Sequence, residues 1–306
     1  MSSVRRCGEQ LGAVPDEVFA DAELRELWLD RNRITELPAR LGELSRLEVL
    51  SLFQNELAVL PRELWELGAL RTLNLGDNRL ARVDENLGRL ARLRMLDLGH
   101  NWLAQLPRSI GALRELETLY VSDNALETLP AELGACARLS YLSASDNALA
   151  ELPEELCALA GLVELRVQRN HLARLPSALD GFVRLRELHA EKNELRALPE
   201  AFGACRELRL VVLDDNRLEQ LPESIGNLTR LTELRLRNNA LARLPDSIGA
   251  MRSLVRLDLR ANALTSLPAS LAELPVLEKL DLRWNPALQP PRWLADLAAR
   301  ECVVLR

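Results

Sequence analysis

From Leu231 to Pro245 the chain reads LTELRLRNNALARLP, and its apolar residues follow two different periods. Leu234 and Leu236 alternate with Glu233, Arg235 and Arg237, the period of two expected of a short strand buried on one face only. After Asn239 the alternation stops. Leu241 and Leu244 carry the chain around, and Pro245 suits the start of a short helix running to Ile248 and Met251. The pattern therefore predicts strand, turn and short helix within one small unit.

That unit repeats. Asparagine recurs at Asn32, Asn55, Asn78, Asn101, Asn124, Asn147, Asn170, Asn193, Asn216, Asn239, Asn262 and Asn285, always 23 residues apart, inside the same leucine pattern. One unit cannot bury its leucines alone, whereas stacked neighbours bury them for each other. Stacking predicts a parallel sheet at ~4.8 Å strand spacing. The bulkier helical side needs more room, so the stack is expected to curve with its strands on the concave face. Where the chain leaves each strand, backbone groups lose their sheet partners. A buried asparagine supplies both a donor and an acceptor there, and its loss to Ala should cost on the order of 1 to 3 kcal/mol.

Departures from the pattern mark the ends and the middle. The first copy, VRRCGEQLGAVPDEVF, has Glu9 at the asparagine position, and Val83-Asp84 replaces Leu-Pro after Asn78. The terminal stretch WNPALQPPRWLADLAARECVVLR predicts a helix and then a strand from Cys302 to Leu305. An inward strand position shrinks to Val121, Ala144, Val167 and Ala190, which predicts a locally shallower core. The organisation expected is a single domain over 1–306, with a degenerate capping repeat at 1–23, twelve repeat cores over 24–288 and a C-terminal cap at 289–306.

The unit closely resembles the leucine-rich repeat in its 23-residue subtype, which carries Leu-Pro after the asparagine, and the likeness runs over nearly the whole chain. The resemblance implies an α/β fold: a curved, right-handed solenoid with a parallel sheet on the concave face and short helices or 3-10 turns on the convex face. Similar arrays occur in Ras-suppressor-like proteins, plant intracellular Ras-group-related proteins, scribble-type scaffolds and bacterial effectors. They imply a non-catalytic protein-binding platform without cofactors: an intracellular signalling scaffold or adaptor that binds another protein, small GTPases among the possibilities. An exported effector acting on host signalling proteins is one alternative. An enzyme, or enzyme subunit, without a recognisable motif is another.

Composition narrows the partners. The formal net charge of −6 comes from 45 acidic and 39 basic residues spread along the chain. Nucleic acid is not the expected partner, because phosphate binding needs a concentrated cationic stripe. Lys192 and Lys279 are the only lysines, which, with the abundant Ala and Leu, suggests a GC-rich bacterial genome. Cys7, Cys136, Cys157, Cys205 and Cys302 are scattered without a C-x-x-C, so neither a zinc site nor a disulfide framework is indicated. The N-terminal MSSVRRCGEQ has no apolar segment of a secretion signal, and no apolar run reaches membrane-spanning length. A cytoplasmic location without membrane insertion is the expectation.

Candidate chemistry is weighed against the repeat. Ser145-Asp146-Asn147 spells the S-D-N of serine β-lactamases, but Ser122-Asp123-Asn124 repeats it one period earlier, and the S-x-x-K and K-T-G companions are missing. A catalytic motif would not be duplicated in register with a structural period, so no catalytic residue is assigned. His171 and His189 sit on adjacent units where Glu164, Glu187 and Glu191 could join them, yet solvated polar side chains account for them better than a metal. The variable strand residues remain. In the first half they are aromatic or small: Trp28, Phe53, Trp102, Tyr120 and Tyr141 among glycines and serines. In the second half they are polar or charged, with Arg166, His189, Arg235, Arg237, Arg260, Arg283 and Trp284. Exposed rings on a rigid sheet favour a partner interface. The arginine columns fit either a carboxylate-bearing partner or mutual neutralisation by Asp258 and Asp281.

Overall fold

A computed structural model describes residues 2–306. From Ser3 to Glu273 each unit forms the same two pieces, a three-residue strand and a 3-10 turn, and the strands follow one another in chain order through a parallel sheet of fourteen. The chain divides into two compact units, Met1–Ala148 and Leu149–Arg306. The first holds β1 (Ser3–Arg5), β2 (Glu26–Trp28), β3 (Val49–Ser51), β4 (Thr72–Asn74), β5 (Met95–Asp97), β6 (Thr118–Tyr120) and β7 (Tyr141–Ser143). The second holds β8 (Glu164–Arg166), β9 (Glu187–His189), β10 (Leu210–Val212), β11 (Glu233–Arg235), β12 (Arg256–Asp258), β13 (Lys279–Asp281), helix α1 (Leu294–Ala299) and β14 (Val303–Leu305).

Strand register repeats the sequence period. Leu27 stands beside Leu50 and Leu50 beside Leu73, and their side chains are fully buried. The flanking residues of each strand point the other way, so every repeat presents three outward positions: two on the strand and one two residues after it. These define the strand face used below.

The asparagines form the ladder expected of them. In Asn78 the side-chain oxygen accepts the Leu57 N–H at 3.0 Å, while Nδ2 donates to the carbonyls of Leu52 and Leu75, both at 3.0 Å. Each asparagine thus joins its own turn to the turn before it. The first repeat, lacking an asparagine, is still held: Asn32 accepts the N–H groups of Glu9 and Leu11 at 3.0 and 3.1 Å.

One backbone feature was not predicted. The residue before every ladder asparagine has a positive φ, from Arg31 at 57° through Asp146 at 54° to Trp284 at 61°. Asp and Asn tolerate this left-handed conformation, but Arg, Gln, His, Lys, Ala and Trp also occupy it. The ladder hydrogen bonds impose the turn on whatever residue stands there.

The segments after the prolines are 3-10 turns of mostly five residues, as in Asp246–Ala250. Pro245 caps that turn in an extended conformation rather than occupying its first helical position. The missing Leu-Pro after Asn78 is replaced functionally, because Asp84 caps its turn by accepting the Asn86 N–H at 2.7 Å. Val121, Ala144, Val167 and Ala190 are all fully buried. In the repeats of Val167 and Ala190, buried Phe182 and Phe202 on the turn side carry side-chain volume that the strand has given up. At the C-terminal end α1 precedes β14, which pairs with β13 through Leu280 and Val304. Among the described residues no helix is long and apolar enough to cross a membrane.

Candidate functional site

The strand face from β3 to β7 differs in chemistry from that of the second unit, while β1 and β2 carry the charged Arg5, Glu26 and Asp30. From β3 to β7 the outward positions are Val49, Ser51, Phe53, Thr72, Asn74, Gly76, Met95, Asp97, Gly99, Thr118, Tyr120, Ser122, Tyr141, Ser143 and Ser145, so a single charged residue, Asp97, lies among fifteen. Neutral rings and hydroxyls dominate this face. Tyr120 and Tyr141 stack at 5.0 Å between ring centroids, tilted by 45°, a favourable arrangement for two aromatic quadrupoles. Beside them the Ser122 and Ser143 hydroxyls hydrogen bond at 2.6 Å. Trp28 lies toward the N-terminal edge, under the Arg5 guanidinium at 5.0 Å from its ring centroid.

Asp97 sits in a glycine-lined hollow. A Cβ on Gly76 would come 3.1 Å from its Oδ1, and one on Gly99 would come 3.3 Å from it. Its Oδ1 accepts the Gly99 N–H at 2.9 Å. Burial pushes the Asp97 carboxyl above its ordinary range, against the pull of that hydrogen bond and of nearby His100. Asp30 accepts two hydrogen bonds, from the Ser51 hydroxyl at 2.5 Å and the Phe53 N–H at 3.0 Å.

In the second unit most strand-face arginines pair with carboxylates of this chain, although, among the described residues, Arg237 Nε and Glu191 Oε2 are buried without a hydrogen-bond partner. Arg235 donates to Glu233 at 2.5 Å, Arg237 to Asp215 at 3.1 Å, and Arg260 to Asp258 at 2.9 Å. Arg283 forks onto Asp281 at 2.9 and 2.7 Å, while Arg166 hydrogen bonds to Glu164. Asp281 is almost fully buried; burial raises its pKa, but hydrogen bonds from Arg283 and the charges of Arg283 and Arg260 outweigh this and hold it below the ordinary carboxylate range. Burial pushes Asp214 the other way, upward, with the Asp258 charge adding to the effect. Arg260 and Arg283 thus pair with Asp258 and Asp281, the carboxylates that the neutralisation reading names.

Two rings lie off the strands. Trp102, expected from the sequence among the strand rings, instead follows Asn101; its backbone N–H donates to the Leu80 carbonyl, and its side chain is 62% exposed beyond the strand end. Trp284 occupies the left-handed position before Asn285, 65% exposed, with the Arg283 guanidinium 5.6 Å from its ring centroid. The repeat phase explains both, since only three positions per unit face outward from the sheet.

The histidines separate as well. His171 faces Glu194 at 3.6 Å, whereas His189 lies 3.4 Å from Glu187 on the strand face. Glu164, Glu187 and His189 each place one donor atom within 4.8 Å of the others, so this set could hold a metal ion, although Arg166 already occupies Glu164. The buried thiols offer no nucleophile. Burial pushes Cys136 and Cys157 up to about 11 and Cys205 up to about 12.

Family models described as "Leucine rich repeat" and "Leucine-rich repeat region" match residues 22–80 and 200–297. A leucine-rich repeat protein of Leptospira interrogans superposes with a TM-score of 0.86 at 30% identity, covering 96% of this chain and 81% of that one. The chain belongs to the leucine-rich repeat family. Leucine-rich repeat folds of this kind generally mediate protein–protein interaction. An internalin of Listeria monocytogenes shares the fold, with a TM-score of 0.85 at 21% identity over 100% of this chain and 86% of that one. The plant peptide hormone receptor RGFR1, solved in complex with RGF2, reaches a TM-score of 0.68 at 27% identity over 92% of this chain and 55% of that one. No curated protein matches this leucine-rich repeat chain.

Proposed function

We propose that this leucine-rich repeat protein is a non-catalytic protein-binding platform whose docking surface is the strand face of its first unit. The observation that carries the reading is the contrast between faces. From β3 to β7 the face is nearly uncharged, carries stacked rings beside small side chains, and leaves room for a partner's side chains. In the second unit the arginines are engaged by their own carboxylates, and a partner would have to break those pairs to use them. Rings on a preordered sheet bury large area at little entropic cost, which is why Trp and Tyr dominate interface energetics. The similarity to a peptide hormone receptor solved in complex with RGF2 supports a peptide segment as the bound form. The 23-residue Leu-Pro subtype supports a further step, a cytoplasmic signalling scaffold whose partner is a signalling protein such as a small GTPase.

A random 12-mer peptide display library, panned on the purified protein, tests the platform. Affinities of the selected peptides are then measured by fluorescence anisotropy. Changing Trp28, Phe53 and Tyr120 together to Ala should weaken binding by about 100-fold or more, since each buried ring of a hot spot is worth roughly 1 to 2 kcal/mol. The thermal midpoint should stay nearly constant, because these three rings stand outside the leucine core. Peptides that bind the triple variant as tightly as the original protein would place the docking surface elsewhere.

A further inference from the structure

The platform reading leaves open what the partner must carry, and Asp97 supplies a specific answer. It is the lone charge on the strand face from β3 to β7, and among the described residues no cation forms an ion pair with it. A carboxylate half removed from water and held by one backbone N–H keeps acceptor positions that a partner's donor can take. Its room is built for it, because any side chain at Gly76 or Gly99 would crowd its oxygens. In register beside it on the next strand stands Tyr120, itself stacked on Tyr141.

We propose that Asp97 is the seat for a basic side chain of the bound segment, an arginine whose guanidinium forks onto the carboxylate while lying against the Tyr120 ring. Adjacent parallel strands are about 4.8 Å apart, and a cation interacts with a ring face within about 6 Å of its centroid, so one group reaches both. Arginine fits better than lysine. Its planar fork matches a carboxylate and can stack on an aromatic face at the same time, which a tetrahedral ammonium cannot do. Charge complementarity makes the choice of sign. The other outward side chains from β3 to β7 are neutral, so an acidic partner residue would meet Asp97 without compensation.

The proposal rests on the platform reading, and its test keeps the two apart. The probes are the peptides selected from the random 12-mer library, with Tyr120→Ala used to confirm that they sit on the first unit's strand face. Each ring-dependent family should share one basic position, predominantly Arg. Replacing that residue by citrulline, which keeps the shape and removes the charge, should weaken binding at least 10-fold, and Lys should fall in between. Asp97→Asn should produce the same loss against the Arg peptide and no further loss against the citrulline peptide. Its folding is checked separately: Asn keeps an oxygen for the Gly99 N–H and relieves a buried charge, so the thermal midpoint should be unchanged or higher. Should Asp97→Asn misfold, the citrulline comparison on the unaltered protein decides alone. Ring-dependent peptides without a shared basic residue, or with one whose charge does not matter, would overturn this inference and leave the platform standing. Failure of the library to enrich any face-binding peptide would overturn both.

Discussion

Asn78→Ala should lower the free energy of unfolding by about 3 to 5 kcal/mol, above the roughly 1 to 3 kcal/mol expected from the sequence because three backbone groups lose their partner, as measured by urea denaturation followed by circular dichroism. The change leaves the Leu57 N–H and the carbonyls of Leu52 and Leu75 without their side-chain partner, all inside the core. Each buried backbone group left unpaired costs about 1 to 3 kcal/mol, and the carbonyls lie at the lower end because they retain a second lone pair. Asn78 also holds Asp77 in its left-handed turn, at φ 54°, so part of that strain goes unsupported. Asn227→Ala is the control, since this exposed asparagine lies outside the ladder and should change stability by under about 0.5 kcal/mol. A loss below about 1 kcal/mol at Asn78 would mean that water replaces the ladder bonds.

Gly226→Ala should be comparably harmful for a different reason. A Cβ at Gly226 would lie 2.3 Å from the Ser247 carbonyl oxygen and 2.8 Å from the Ser247 Cβ, closer than atoms can sit. Both residues belong to 3-10 turns of neighbouring repeats, Glu223–Asn227 and Asp246–Ala250, so the methyl must wedge the turns apart. Overpacking of this kind costs about 1 to 3 kcal/mol and sometimes more. A loss near 3 kcal/mol in the same urea assay is expected. Gly203 and Gly249 meet the next turn in the same way, at 2.2 Å from the Ser224 carbonyl oxygen and 2.6 Å from that of Ser270. Gly68→Ala separates this effect from a general intolerance of alanine. Nothing lies within 4 Å of its would-be Cβ, and the change should be neutral or stabilising by about 0.5 kcal/mol. Equal effects at Gly68 and Gly226 would refute the close-approach account.

The fold was legible because its information is periodic. Leucine spacing and the asparagine every 23 residues specify strand, turn and stacking together, and the ladder bonds of Asn78 are those the backbone accounting requires. What the sequence withheld is not carried by residue type. The left-handed turn before each asparagine holds Arg31, Lys192, Ala261 and Trp284 as readily as Asp146, because neighbouring repeats impose it. The glycines of the turn side have ordinary φ values, so only the distance to the next repeat reveals why they are glycine. A signal was present there: Gly111, Gly203, Gly226 and Gly249 share one phase of the 23-residue period.

The candidate surface was half legible. Phase alone could have placed Trp102 and Trp284 off the strands, since one follows and the other immediately precedes a ladder asparagine. The partnering of the arginines needed side-chain geometry: Arg283 and Asp281 alternate along one strand edge, and sequence cannot say whether they reach for each other or for a partner. Asp97 was passed over because an aspartate on a strand is ordinary, and its meaning comes from glycines one repeat and two residues away. The Ser145-Asp146-Asn147 triplet is explained in the same terms. Asn147 bonds to the carbonyls of Val121 and Ala144 at 2.9 and 3.3 Å, and Asp146 is the left-handed turn residue before it.

Hydroxyl-radical footprinting, read by mass spectrometry on the protein alone and saturated with a selected peptide, tests the docking surface most directly. It reports side-chain exposure, and the chain carries its own controls. Oxidation of Trp28, Phe53, Met95, Tyr120 and Tyr141 should fall on binding, while Trp102 and Trp284, the exposed rings off the strands, should be oxidised as before. Protection confined to Trp284, His189 and the second unit, with the first unit's rings unchanged, would contradict the account.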